Sequence, residues 1–122
     1  MLQKKLLTFP LVIQNEQYEE ILKHFFPTMQ TDILRLLQCV ENKEIEIKSL
    51  TIFGSSLTFD CGCGSDIDIY IEMDSTADAF YKTSKYIKSI LKNDVDILWN
   101  GNIRSNSLIY DEIKRKGYRI YG

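Results

Sequence analysis

Phe53-Gly54-Ser55, ten further residues, then Asp66-Ile67-Asp68-Ile69-Tyr70-Ile71-Glu72-Met73 is the stretch on which the reading of this chain turns. From Asp66 to Met73 the alternation has no fault. Asp66, Asp68, Tyr70 and Glu72 point one way, and Ile67, Ile69, Ile71 and Met73 the other, which is the period of a strand with one apolar face. Residues two apart on a strand have Cα atoms about 6.5–7 Å apart on the same side, so the Asp66 and Asp68 carboxylates converge. Like charges held this close repel, and a sequence tolerates them where a cation is expected. Two-metal sites place their ions roughly 3.5–4 Å apart, and Mg²⁺ takes carboxylate and phosphate oxygens while keeping some water. Gly54-Ser55 ends the preceding strand, and such a turn leaves backbone N–H groups free to meet a phosphate. Each half has a plainer reading: Asp-x-Asp alone is commonly a solvated edge, and Gly-Ser alone a turn with a helix cap. The joint spacing is what points to metal and phosphate.

Upstream of this stretch, Tyr18, Ile21, Leu22, Phe25 and Phe26 fall on one side of a helical pattern that begins at Glu16. Pro27 interrupts that segment or starts the next, a second helix capped by Thr28 or Thr31 with Ile33, Leu34, Leu37 and Val40 as its apolar positions. Leu11-Val12-Ile13 reads as a short strand or a tether. Ile45, Ile47, Leu50, Ile52 and Phe53 form an extended run with a phase slip near Ser49. Downstream, Asp74-Ser75-Thr76 opens a helix carrying Phe80, Ile87, Ile90 and Leu91, and Val95-Asp96-Ile97-Leu98-Trp99 is a third strand. A helix over residues 107–116 stops at Gly117, in the usual helix-ending position, and Tyr118-Arg119-Ile120-Tyr121 is a last short strand. The order predicts an α/β (α+β) domain, a small mixed sheet flanked by helices. Residues 1–122 read as one domain, with an N-terminal helical segment over 1–44 and a catalytic core over 45–122.

The bulk properties fit a single globular domain: 122 residues, 44% hydrophobic and 26% charged, with a net charge of −2. That near balance argues against a dedicated nucleic-acid binder, which would carry a strongly basic face. Three cysteines, Cys39, Cys61 and Cys63, do not suggest a disulfide framework. No run reaches the length of a membrane span, and the start of the chain lacks the apolar run and cleavage site of a secretory leader. The expectation is a soluble domain of the reducing cytoplasm.

Phe53-Gly54-Ser55 through Ser65-Asp66-Ile67-Asp68-Ile69 resembles the signature of the polymerase-β-like nucleotidyltransferase superfamily. The resemblance covers about residues 48–121 and implies the nucleotidyltransferase fold. It implies that Gly54, Ser55 and Ser65 bind the nucleotide triphosphate, that Asp66 and Asp68 bind Mg²⁺, and that Asp96, in Val95-Asp96-Ile97-Leu98, completes the site as the third carboxylate. Two Mg²⁺ ions and an NTP donor, ATP in the first instance, follow from the same likeness. The spacing and the closing Gly117-Tyr118-Arg119-Ile120-Tyr121 are similar to the minimal nucleotidyltransferases, small bacterial proteins often paired with HEPN-domain partners in toxin–antitoxin systems. One departure stands out: that subgroup usually carries an arginine soon after the Gly-Ser, and Ser56-Leu57-Thr58-Phe59-Asp60 has no basic residue. The two N-terminal helices exceed what a minimal catalytic module needs and suggest a lid or a docking surface.

The resemblance implies AMP transfer to a hydroxyl of a partner protein, such as a tyrosine of a HEPN toxin. A small-molecule acceptor of the antibiotic type is the second reading, and a non-catalytic nucleotide- or partner-binding module the third. Among the remaining features, Asp94 would share a face with Asp96 and competes for the third-ligand role. Asp96 is preferred because it lies inside an apolar run, where a charge needs a partner. Glu72 is expected to be solvated at the sheet edge. Cys61-Gly62-Cys63 has too few companions for a zinc site, His24 reads as structural, and Lys114-Arg115-Lys116 suits the end of a helix, with one of them within reach of a phosphate.

Overall fold

The computed structural model describes residues 16–25, 27–54 and 67–122. In chain order these form α1 (Glu16–Leu22), α2 (Pro27–Glu41), β1 (Ser49–Phe53), β2 (Ile67–Glu72), α3 (Ala77–Ile90), β3 (Val95–Trp99), α4 (Leu108–Lys116) and β4 (Tyr118–Tyr121). The four strands make one sheet in the order β3-β2-β1-β4. β1 runs antiparallel to β2 and β4, and β2 runs parallel to β3. The parallel pair requires a crossover, and α3 supplies it. This is the mixed sheet with flanking helices that the element order predicts.

The faultless alternation of β2 divides the two faces of the sheet. Ile67, Ile69 and Ile71 are fully buried together with Leu50, Ile52 and Val95, and on them pack Leu22 of α1, Ile33, Leu36 and Leu37 of α2 and Ile87 of α3. Phe80 of α3 stacks on Trp99 of β3 with ring centroids 4.9 Å apart. Because α2 contributes side chains throughout this core, it is an inner layer of the fold rather than the lid that its length suggests. Of the starts that the sequence offers, it takes Pro27, so Thr28 and Thr31 lie inside it rather than at its cap. Proline suits the first helical position, where its missing N–H would have had no partner.

The opposite face of the sheet carries Ser49, Thr51, Asp68, Tyr70 and Glu72, and α4 covers part of it. Ile113 of α4 is buried, Tyr110 meets the buried Tyr70 edge-on at 6.2 Å, and Lys114 reaches Glu72 at 3.1 Å. Helix ends follow the sequence closely: Thr76 accepts from the Ala79 N–H at 3.1 Å, and Ser107 from the Tyr110 N–H at 3.2 Å, each a cap worth about 1 kcal/mol. Gly117 ends α4 as expected but with φ −70° rather than a left-handed conformation. Glycine is needed there for space, since a Cβ would lie 2.4 Å from the Ile113 carbonyl oxygen and 2.6 Å from Thr51 Cγ2.

Glu72 is not the solvated edge residue expected of it. β2 is a central strand, and the Glu72 carboxylate accepts from Ser49 Oγ at 2.8 Å, Tyr70 Oη at 3.4 Å and Lys114 Nζ at 3.1 Å. Burial pushes its pKa up, but the Ser49 hydroxyl, Lys114 and Arg119 outweigh that and hold it below the usual carboxylate range. A carboxylate with a lowered folded pKa stabilises the fold above its unfolded value and loses that contribution as pH falls through the folded one. Glu72→Gln is therefore expected to lower the urea midpoint at neutral pH. The gap to wild type should close below about pH 5, as the unfolded and then the folded carboxylate of the wild type protonates. Urea titrations across that range test it, and a gap independent of pH would rule out the ionic role.

Cys39 is buried in α2, and burial, helped by Glu44, pushes its thiol up to about 11. A protonated buried thiol is neither a ready metal ligand nor a nucleophile. Cys61-Gly62-Cys63 and Leu11-Val12-Ile13 lie outside the described residues. His24 stacks on Tyr118 with centroids 4.1 Å apart, in keeping with a structural role. Among the described residues, no helix is long and apolar enough to cross a membrane.

Candidate active site

Strand register brings two of the three predicted aspartates together. In the parallel pairing Asp68 lies directly across from Asp96, flanked by the pairs Ile67–Val95 and Ile69–Ile97. Those isoleucines and Val95 point into the core, so both aspartates point to the other face, on strands about 4.8 Å apart. In the antiparallel pairing Asp68 lies across from Phe53, the last residue of β1. One end of the sheet thus gathers the end of β1 and the starts of β2 and β3. α4 meets Tyr70 and Glu72 further along β2, while Asp68 is half-exposed and Asp96 exposed.

Gly54 follows Phe53 with φ +74°, in the left-handed region that glycine enters at little cost. A Cβ built there would sit 2.3 Å from Oδ2 of Asp68 and 3.2 Å from its Cγ. The carboxylate therefore occupies the space that any side chain at position 54 would need. The sequence assigns Gly54 to the nucleotide, and the structure adds this second demand on the same residue. Gly54→Ala is expected to cost about 1–2 kcal/mol through its backbone conformation alone and to push the Asp68 carboxylate aside. Displacements near 1 Å can cost about 10²-fold in rate, so nucleotidyl transfer should fall further than the stability loss explains. Gly54→Asn tolerates the left-handed region better and should regain some melting temperature but no activity. Full activity in either variant would remove the steric argument.

Asp66, Ser55 and Ser65 lie outside the described residues. Among the described residues, no group of three or more His, Cys, Asp or Glu side chains is placed to hold a metal, and Asp68 and Asp96 form a pair. That pair fits a hard divalent cation: both donors are carboxylate oxygens, they face the same way from adjacent strands, and one is seated against the glycine. Exposure of Asp96 means that the desolvation argument for preferring it over Asp94 does not apply. The register does, because Asp96 and not Asp94 stands opposite Asp68, while the Asp94 carbonyl accepts from the Ile67 N–H at 3.0 Å. Lys114 is engaged by Glu72 and lies over the Tyr70 and Tyr110 rings, so the helix-end cation nearest the sheet is committed to structure.

A cavity of about 380 Å³ opens beside Asp96, bounded by Lys88, Leu91, Lys92, Asn93 and Asp94. The sequence reading passed over Lys88 and Lys92. Their i, i+4 spacing at the end of α3, just before Asp94, is the signal that could have found them. A larger cavity of about 700 Å³ lies between Ile45–Lys48 and Met73–Ser75. It sits where β1 begins and β2 ends, the opposite end of the sheet from the carboxylates, so its size does not make it the site.

A mixed four-stranded sheet with carboxylates paired across its parallel strands, next to a strand-ending glycine, defines the nucleotidyl-transfer class of fold. Residues 35–122 match the family described as Polymerase beta, Nucleotidyltransferase. The chain belongs to that family and is a nucleotidyltransferase. A protein of Methanocaldococcus jannaschii named "putative protein adenylyltransferase" is 33% identical over 76 residues, covering 61% of this chain and 78% of that one. Among solved structures, a chain of the MntA–HepT toxin–antitoxin complex is similar with a TM-score of 0.54 at 17% identity, over 76% of this chain and 72% of that one. A chain of the complex between tri-AMPylated Shewanella oneidensis HEPN toxin and its MNT antitoxin gives 0.55 at 17% identity, over 77% and 72%. At such identities the likeness is one of fold.

Proposed function

We propose that the protein transfers AMP from ATP to a hydroxyl group of a partner protein, in the manner of an antitoxin acting on a HEPN-type toxin. The observation that carries the reading is the register of Asp68 and Asp96, with the Asp68 carboxylate set against Gly54. The likeness to an archaeal protein named as a protein adenylyltransferase, and to a chain from a complex with an AMPylated HEPN toxin, supports the same direction. Gly54 and Ser55 would seat the β and γ phosphates through N–H and hydroxyl donors, and Ser65 would also bind the nucleotide. Asp66, Asp68 and Asp96 would hold two Mg²⁺ ions, which when bound neutralise the triphosphate and lower the pKa of the acceptor hydroxyl. Asp96, exposed where Asp68 is half-buried, would face the acceptor side and take the hydroxyl proton. The acceptor oxygen bonds to the α phosphorus, the bond from that phosphorus to the β-phosphate oxygen breaks, and pyrophosphate leaves. No histidine or cysteine is needed.

The cavity beside Asp96 keeps a second reading in play, since about 380 Å³ is within the range of small-molecule pockets. One experiment covers both. The protein is incubated with ATP and Mg²⁺, once with the protein encoded beside it and once with a panel of aminoglycosides, and the products are analysed by mass spectrometry. Added AMP on a side-chain hydroxyl of the partner is the expected result. Added AMP on the small molecule alone would replace the protein acceptor, and transfer to neither would favour a binding module.

A further inference from the structure

Asp32 is the one buried acidic residue among those described, 2% exposed within α2, and nucleotidyl transfer as derived above makes no use of it. Its carboxylate does not face another side chain of its own helix. Oδ1 accepts from the Lys92 N–H at 2.9 Å, and Oδ2 accepts from the Asn93 N–H at 2.9 Å and from Asn93 Nδ2 at 2.8 Å. The second Asn93 amide hydrogen is directed to the Thr28 carbonyl oxygen at 3.3 Å. Lys92 and Asn93 form the turn between α3 and β3, and Asp94 and Asp96 follow at once. The turn is therefore fastened to α2 by four hydrogen bonds, three of them to one carboxylate. Bonds to a charged acceptor are roughly twice as strong as neutral ones, and a buried carboxylate is costly unless its oxygens are satisfied. Both facts favour a single geometry for this turn.

We propose that Asp32 is a positioning residue for nucleotidyl transfer, fixing the start of β3 so that Asp96 stands opposite Asp68. The inference rests on the assignment of Asp96 to the site. The path is short. Asp32 holds the Lys92–Asn93 turn, the Asp94 carbonyl receives the Ile67 N–H, and the next pairs in register are Ile67–Val95 and Asp68–Asp96. The same turn forms one wall of the cavity beside Asp96, so the shape of that cavity depends on it too. Asp32 lies just before the segment that matches the family, residues 35–122. The N-terminal part of α2 thus contributes to the site from outside the matched region, which gives the extra helix a function in catalysis as well as in the core.

Asp32→Asn tests this. The amide oxygen can keep at most the two bonds of one carboxylate oxygen, and its NH₂ group then meets at least one of the N–H groups of Lys92 and Asn93 donor to donor. Amide hydrogen exchange of the variant should rise at least about tenfold at residues 92–96 while residues 49–53 and 69–72 stay near wild type. A role confined to global stability would instead raise exchange across the whole sheet. At a temperature where the variant is folded, kcat for AMP transfer should fall by about 10²-fold with KM for ATP changed less than about twofold, because Gly54 and Asp68 are not held by the turn. Asn93→Ala keeps both backbone donors on Asp32 and should lose much less activity. Because it still removes the two Asn93 side-chain bonds, it should show a smaller change in the same direction, about a few-fold in kcat and in exchange at residues 92–96. It is the variant read should Asp32→Asn fail to fold, and wild-type values of both would then overturn the proposal. Uniform exchange in Asp32→Asn, or a local rise with kcat unchanged, would do the same. If wild-type protein transfers AMP to no acceptor, the functional reading fails first. The local exchange change would then mark Asp32 as architecture only.

Discussion

Asp68→Asn is expected to abolish Mg²⁺-dependent ATP binding and to lower nucleotidyl transfer by about 10⁴-fold or more, while the metal-free protein keeps its fold. The size follows from what a single atom change removes. Asp68 lies between Phe53 of β1 and Asp96 of β3 in register, and its Oδ2 is packed against Gly54. Of the described residues it is therefore the one shared by the Gly54 turn and the carboxylate pair. Asp68 is a ligand proposed for both metal ions. Losing its charge would remove both the activation of the acceptor hydroxyl and the neutralisation of the triphosphate, so the loss should exceed the 10²–10⁴-fold typical of losing a single proton-transfer group. The binding half can be read by melting. ATP at about a hundred times its dissociation constant stabilises a fold by about 2.7 kcal/mol, which for a domain of this length is a rise on the order of 10 °C. Wild type should show that rise with Mg²⁺ and lose most of it in EDTA, and Asp68→Asn should show none in either. Asp66→Asn is expected to behave the same way. An equal ATP shift with Mg²⁺ and with EDTA would sink the two-metal site, and a large loss of stability in EDTA for both variants would make the strand structural.

The legible part of this protein is the part set by local period. β2 is readable because Ile67, Ile69, Ile71 and Met73 alternate with polar residues, and the same alternation puts Asp68 on the face opposite the core. α3 and α4 were readable from Thr76 and Ser107, residues whose side chains satisfy helix N–H groups within three positions. What the sequence left hidden depends on contacts between elements far apart in the chain. The partner of Asp32 is 61 residues away, and no period links the two. Glu72 looked solvated because its partners, Ser49 and Lys114, come from β1 and α4. Asp96 was preferred for burial it does not have; the choice finds its physical support in parallel register, which a single strand does not encode. Of the starts that the sequence offers for α2, the helix takes Pro27, and Thr28 and Thr31, good caps in isolation, fall inside it.

Asp96→Asn and Asp94→Asn should separate binding from chemistry. Both positions carry exposed aspartates at the start of β3, two residues apart, and both border the same cavity. A purely electrostatic account, in which any negative charge near the site serves, predicts similar losses for the two. Register predicts otherwise. Asp96 lies across from Asp68, and Asp94 precedes the strand with its carbonyl committed to the Ile67 N–H. Asp96→Asn is expected to keep most of the Mg²⁺-dependent ATP melting shift, since on the proposed reading Asp66 and Asp68 would still hold the metal that accompanies the triphosphate. Its AMP transfer should fall by about 10²–10⁴-fold, the usual range for loss of the group that takes a proton in the transition state. In kinetic terms kcat drops with little change in KM for ATP, the mark of an interaction made in the transition state rather than on binding. Asp94→Asn should stay within a few-fold of wild type in both. Its backbone carbonyl is untouched, and only the side chain beside the cavity changes. In EDTA neither variant should be less stable than wild type, and Asp96→Asn gains a few tenths of a kcal/mol, because one of two like charges directly opposite each other across the strands is gone. The decisive pattern is the contrast between the pair: loss of transfer in Asp94→Asn with transfer intact in Asp96→Asn would move the third carboxylate by one strand repeat and with it the geometry of the acceptor.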